Sequence, residues 1–445
     1  MPSWLSTVLN RNRDYTNFEW DHWWRLTAAS IPWFAGHSVL FNACQVFNWR
    51  LVLVVLMHGG CMVVVCKHFK TVLPAWIGSA LLVKFVYEEG NFIAPRLNAD
   101  YANTVLVMYK LIQVISYCGY LSNRNQEQKI PVRSCLINFY NFTSYIPYNT
   151  ALIVLYEDYA RQMEQREALP LRAGYLLTRL CTDDRQGSVR GWRTPTIPPP
   201  KEPHFKKVPI SWYVFNLDLV SLPAIGYVSG QYFHVKYVVI FGVAGWLADV
   251  DRMAPPGWPV CISRVTLYSR VWRHFDNGLY SFLKARVYLP VMAVTRFDNQ
   301  LAKWSSRLGA LLLCYAFVLH WHGGDAKHAK WVALNVLEIV IEKGSLAVYG
   351  RLVTSGAWAR LAPSAAWQRR ALAWCQNLCI GLAIFGIFHF LGYGDAGAAF
   401  SQRIWFQNGQ YLNHVFWYLT TLGYCFNQCN MELERTCPLR KTKTV

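Results

Sequence analysis

Apolar runs separated by short polar breaks repeat along most of this chain. In the first part they fall at about 28–49, 51–66, 71–87, 102–121 and 133–156, each near the roughly 20 residues that a helix needs to cross a bilayer. The second and third are short, so they tilt little or re-enter the face they came from. Later runs fall at about 210–229, 231–248, 304–323, 331–350, 371–393 and 409–430. The pattern predicts an all-α polytopic membrane protein. Residues 251–300 are too polar for simple spanning and suit re-entrant or interfacial helices buried against protein.

The polar stretches divide the chain. Residues 1–27 carry Phe18, Trp20, Trp23 and Trp24 among charges and read as an amphipathic segment lying in the interface. Charged residues precede the first long apolar run, the wrong order for a cleavable signal peptide. N-terminal membrane helices fill 28–156. Residues 157–209 form a linker: an amphipathic helix in YEDYARQMEQREALPLRAGYLLTRL, then a loop rich in Pro, Gly and charge. A catalytic core follows at 210–350, C-terminal membrane helices at 351–430 and a basic tail at 431–445. The linker and tail are both basic and read as cytosolic. That parity requires one early run to be re-entrant or interfacial, or the segment near 169–180 to enter the membrane. The closing KTKTV has the lysine spacing of a dilysine retrieval signal for the endoplasmic reticulum, and equally that of a plain basic tail.

Composition sharpens this picture. Of 445 residues 53% are hydrophobic and only 16% charged, against roughly 25% in soluble domains. The net charge of +19 sits between apolar runs, and no nucleic-acid motif accompanies it, so it anchors loops. The 13 Cys lie mostly inside apolar runs at irregular spacing and read as small buried hydrophobes. There is no phosphate-binding Gly loop, GxSxG elbow or HExxH, which leaves kinase chemistry, serine hydrolysis and zinc proteolysis without support.

The chemistry concentrates in 258–324. His322 ends the run LGALLLCYAFVLHWHGG, and a neutral imidazole in an apolar surround suits a general base; an interfacial histidine satisfied by a helix end fits the same position. His320 points elsewhere on a helix. Asp276 lies in VWRHFDNGLYSFL, with Trp272 on its helical face and Arg273 in reach; it is either half of an Arg–Asp pair or a carboxylate that orients substrate. Cys261, in PPGWPVCIS, is a buried hydrophobe or a thiolate for haem iron. Glu338 and Glu342 share a face at a run's end and read as a solvated rim or an ion pair with Lys343.

The stretch WRHFDNGLYSFLKARVYLPV, followed by a span and HWHGG, resembles the membrane-bound O-acyltransferase family, and within it the branch that palmitoylates the N-terminal cysteine of Hedgehog-type proteins. RDYTNFEWDHWW, CLINFYNFTSYIPYNTALIVLYEDYARQM, HVKYVVIFGVAGWLADVDRMAPPGWPVCIS and ALNVLEIVIEKG carry the same resemblance, whose specific core runs from 235 to 344. At 181–209 a charged, Pro-rich loop stands where the family has more apolar sequence. The resemblance implies a fold of roughly 9–11 transmembrane helices with re-entrant and interfacial helices around a tunnel. It implies His322 as catalytic base, Asp276 as its partner in the site, Trp272 and Arg273 at the acyl-CoA, and Cys261 at haem b. It further implies palmitoyl-CoA as donor, a secreted protein with an N-terminal Cys as acceptor, and residence in the endoplasmic reticulum or Golgi membrane. A lipid or a protein serine as acceptor stays open, as does a transporter or scaffold in which His322 is structural.

Overall fold

The computed structural model describes residues 49–88, 101–124, 130–149, 151–167, 214–261, 264–295, 299–322, 324–361, 364–391, 396–405 and 413–437. The N-terminal amphipathic segment, nearly all of the first apolar run, the linker beyond 167 and the KTKTV tail lie outside these residues. The described residues are helical, with no strand among them.

Four helices build the first half: α1 (Trp49–Phe69), α2 (Leu73–Glu88), α3 (Tyr101–Arg124) and α4 (Val132–Ser144). The run at 133–156 is expected to be one span but is broken. After α4 come a 3-10 turn at Ile146–Tyr148, a non-helical stretch at 152–155 in which Leu152, Ile153 and Val154 are buried, and α5 (Tyr156–Glu167). Pro147 lacks an N–H and cannot continue the helical ladder. A buried lysine secures the break: Lys110 Nζ donates to Gln113 Oε1 (3.2 Å), Asn149 Oδ1 (2.8 Å) and the Thr143 carbonyl. A cation away from water is tolerated when its protons are all directed at oxygens. Tyr156 N donates to Ser116 Oγ (2.9 Å), fixing this stretch against α3.

The run at 231–248 and the second half of the run at 210–229 prove to be a single helix, α6 (Ser221–Val250). Gly230 lies between them, and a lone glycine costs a helix only about 1 kcal/mol. Ile225, Val228, Tyr232 and Val235 form an exposed stripe along α6. A row of large apolar side chains facing outward suits lipid. Among the described residues, Leu51–Phe69 and Ser221–Val250 are long and apolar enough to span a membrane on their own.

The chain then turns through short elements: α7 (Tyr268–Phe275), α8 (Asn277–Leu283), a π-helical turn (Lys284–Tyr288) and α9 (Leu289–Val294). The described part of 251–300 is thus made of short, broken helices and contains no single long one. Long helices follow: α10 (Gln300–Trp321), α11 (Ala326–Thr354), α13 (Ala365–Leu391) and α15 (His414–Thr436), with short α12 (Ala357–Leu361) and α14 (Ala396–Trp405) between them. α11 packs on α10 and α13, and α13 on α15. Side chains cap their starts: Asn299 Oδ1 accepts from Leu301 N (2.9 Å), Asp325 Oδ1 from His328 N (2.8 Å) and Asn413 Oδ1 from Val415 N (2.9 Å).

Candidate active site

His322 is the C-cap of α10, one residue past Trp321, its N–H donating to the Val318 carbonyl (3.1 Å). The end of α10 is pinned from the other side, where Trp321 packs edge-on against Tyr109 of α3, ring centroids 5.5 Å apart. Three rings surround the half-buried His322 imidazole. Trp331 meets it edge-on at 5.2 Å, Phe390 edge-on at 5.0 Å, and His328 stacks on it at 5.6 Å. α10 supplies the imidazole, α11 supplies Trp331 and His328, and α13 supplies Phe390. His320 is exposed, as its spacing predicts.

Asp276 occupies the break between α7 and α8. Its Oδ1 accepts from Leu279 N (2.8 Å) and caps α8, and the Gly278 N–H is also directed at the carboxylate. The next turn fits only because residue 278 is glycine: a Cβ there would stand 2.2 Å from the carbonyl oxygen of Ile153. The stretch 152–155 therefore presses directly on the Asp276 turn. The expected Arg273–Asp276 pair does not form. Arg273 lies over the Tyr280 ring instead, 5.9 Å from its centroid. The helix break after Phe275 removes the i, i+3 spacing on which that pairing rests.

Trp272 joins the two halves. Its ring meets Trp331 edge-on at 5.7 Å, and Trp331 in turn touches His322. Its Nε1 donates to Tyr268 Oη (3.0 Å), and Tyr268 donates to Asn335 Oδ1 of α11. Phe275 stacks on Phe233 of α6 (5.2 Å), which meets Phe390 at 5.9 Å. Thus α7, α10, α11 and α13 converge on one packed aromatic cluster that includes His322. Sequence reasoning missed Trp331, Phe390 and His328. Their spacing from His322 carries no signal, because a turn and, for Phe390, two further helices intervene.

The acidic pair on α11 departs from expectation. Glu342 does pair with Lys343 (3.1 Å) but is itself buried, accepting from Ser269 N (2.9 Å) and Ser269 Oγ. Glu338 is no solvated rim, being 1% exposed.

Cys261 is half-buried, and its Sγ donates to Gln231 Oε1 of α6 (3.5 Å). Among the described residues no cluster of three metal-ligating side chains occurs. One thiol already engaged with an amide gives haem no support, and no step below runs through it.

The described residues thus set a half-buried imidazole among aromatic rings, a carboxylate on a neighbouring helix break and an all-α frame with an outward apolar stripe. The sequence profile of the membrane-bound O-acyltransferase family matches residues 100–389, and the chain belongs to that family. It is similar to the mouse (Mus musculus) protein-cysteine N-palmitoyltransferase HHAT, 24% identical over 95% of this chain and 89% of the mouse protein. It is also similar to the Drosophila melanogaster protein-cysteine N-palmitoyltransferase Rasp, 31% identical over 49% of this chain and 42% of the fly protein.

Proposed function

We propose that the chain transfers palmitate from palmitoyl-CoA to the N-terminal cysteine of a secreted signalling protein of the Hedgehog type, in the membrane of the endoplasmic reticulum. The observation that carries this reading is His322 held between Trp331 and Phe390, in a chain alignable over most of its length with a protein-cysteine N-palmitoyltransferase.

The acceptor amine enters as an ammonium and must lose one proton before its lone pair can attack. Attack on the thioester carbon forms a C–N bond and breaks the C–S bond. The products are an amide, CoA thiol and one released proton. His322 accepts the proton from the attacking amine, the role a general base plays within hydrogen-bond reach of its substrate. The aromatic wall excludes water, which would otherwise hydrolyse the thioester. Asp276, its carboxylate held in place by the backbone of α8, orients the reacting groups. Trp272 and Arg273 line the passage for the donor on α7.

The test is transfer in detergent from labelled palmitoyl-CoA to a peptide beginning with Cys, with an amine-blocked peptide as control. Label on the free peptide alone, absent with His322→Ala, is the expected result. Label on a lipid or on an internal serine in place of the N-terminal cysteine would overturn the acceptor assignment.

A further inference from the structure

Arg286 is a buried cation where α3, α5 and the π-helical turn after α8 meet. Its side chain is 7% exposed. One guanidinium nitrogen, Nη2, donates both to the Ser116 carbonyl of α3 (2.9 Å) and to Glu157 Oε1 at the start of α5. The side chain lies this close to α3 because residue 119 is glycine: a Cβ there would stand 2.7 Å from Arg286 Nε. An ion pair withdrawn from water is a weak source of stability, because desolvation offsets much of the attraction. Fixing one arrangement of the elements it joins is the best-attested use of such a pair.

The elements it joins bear on Asp276. Segment 152–157 meets α8 and its continuation at two places. At the start of α8, the Ile153 carbonyl oxygen fills the space that a side chain at Gly278 would need. Eight residues further on, past the end of α8, Arg286 holds Glu157. Between these contacts Tyr156 N donates to Ser116 Oγ (2.9 Å), on the residue whose carbonyl receives Arg286. The α8 helix has only 7 residues, too few to be stable alone, so its setting is decided by what it packs on. One contact would leave so short a helix free to pivot, and a second fixes it. Asp276 caps α8 through Leu279 N, so the aim of its carboxylate follows the setting of α8.

We propose that Arg286 is a positioning residue: its contacts with Glu157 and the Ser116 carbonyl fix α8 on segment 152–157 and so hold the Asp276 carboxylate in a single orientation for acyl transfer. This rests on the reading above, in which Asp276 orients the reacting groups.

The test is a double-mutant comparison of transfer by the full chain in detergent. Arg286→Met removes the charge and the donors while keeping an unbranched side chain. It should lower kcat for palmitoyl-CoA and a cysteine peptide about tenfold, the size expected for one lost hydrogen bond to a charged group. In an Asp276→Asn background the same substitution should cost nothing further, because the carboxylate it aims is already gone. Equal fractional losses in the two backgrounds would overturn the proposal, since a purely structural role lowers the active fraction of both alike. No loss in the wild-type background would overturn it too. Should Arg286→Met fail to fold, Glu157→Gln takes its place, with a loss of about threefold expected in the wild-type background and none beside Asp276→Asn. If Asp276→Asn leaves too little transfer to compare, or if wild type acylates no cysteine peptide and the function reading fails on its own account, hydrogen exchange decides. Amides of 275–283 should then exchange about tenfold faster in Arg286→Met than in wild type, with those of α13 unchanged. Unchanged exchange over 275–283, or faster exchange in α13 as well, would overturn the proposal.

Discussion

The His322 imidazole meets the Trp331 indole edge-on, with ring centroids 5.2 Å apart and planes at 90°. The contact crosses from the last turn of α10 to the second turn of α11, so the short connection between these helices sets the aim of the imidazole. Trp331 is 3% exposed and also touches Trp272 and Phe390. One indole thereby couples the imidazole to α7.

His322→Ala is expected to lower transfer by about 10²–10⁴-fold, the range for loss of a general base. The thermal unfolding midpoint should move little, because His322 is only half-buried. Unchanged transfer by the folded variant would remove His322 from the chemistry.

Trp331→Ala should be much harder on the protein than His322→Ala. A buried indole replaced by a methyl costs about 3–5 kcal/mol. Trp331→Phe keeps an aromatic edge and is expected to retain the fold while lowering kcat more than it raises KM. A pure KM effect would show that Trp331 lines a binding surface without aiming the imidazole.

Asp276 has separable roles. Asp276→Asn keeps a capping oxygen for Leu279 N, whereas Asp276→Ala loses about 1 kcal/mol of capping. If the carboxylate orients the reacting groups, both variants lose activity and only Ala loses stability. Full activity in the Asn variant would reduce Asp276 to a cap.

Gly278→Ala tests the seat of that turn. The added methyl would meet the Ile153 carbonyl oxygen, and backbone cannot retreat as a side-chain tip can. A loss of about 1–3 kcal/mol in unfolding stability, with transfer reduced in parallel, is expected for such overpacking. A variant of wild-type stability would show that 152–155 can shift away from α8.

The helical frame was legible in the hydropathy pattern because each element there is set by its own apolar length. The runs at 304–323, 331–350, 371–393 and 409–430 correspond to α10, α11, α13 and α15, with ends that differ by up to about six residues. The boundaries that failed have local causes. Gly230 suggested a break that α6 bridges, and Pro147 imposed a break that the apolar run concealed. Among the site residues, His322 and Asp276 stood out because a titratable group inside an apolar or aromatic stretch is conspicuous in one dimension.

The sequence by itself therefore determined an all-α membrane protein, its family and the two polar groups at its centre. The helical frame and the candidate polar groups follow from periodicity and composition, which are properties of neighbours along the chain, and the family from the resemblance carried by the WRHFD and HWHGG stretches. Only the tertiary structure decided that Trp331, Phe390 and His328 enclose His322, that Arg273 turns to Tyr280 and away from Asp276, and that Glu338 is buried. Each of those depends on how α6, α7, α10, α11 and α13 pack. Packing joins residues far apart in the chain by fit and burial, and spacing along the chain carries no trace of it.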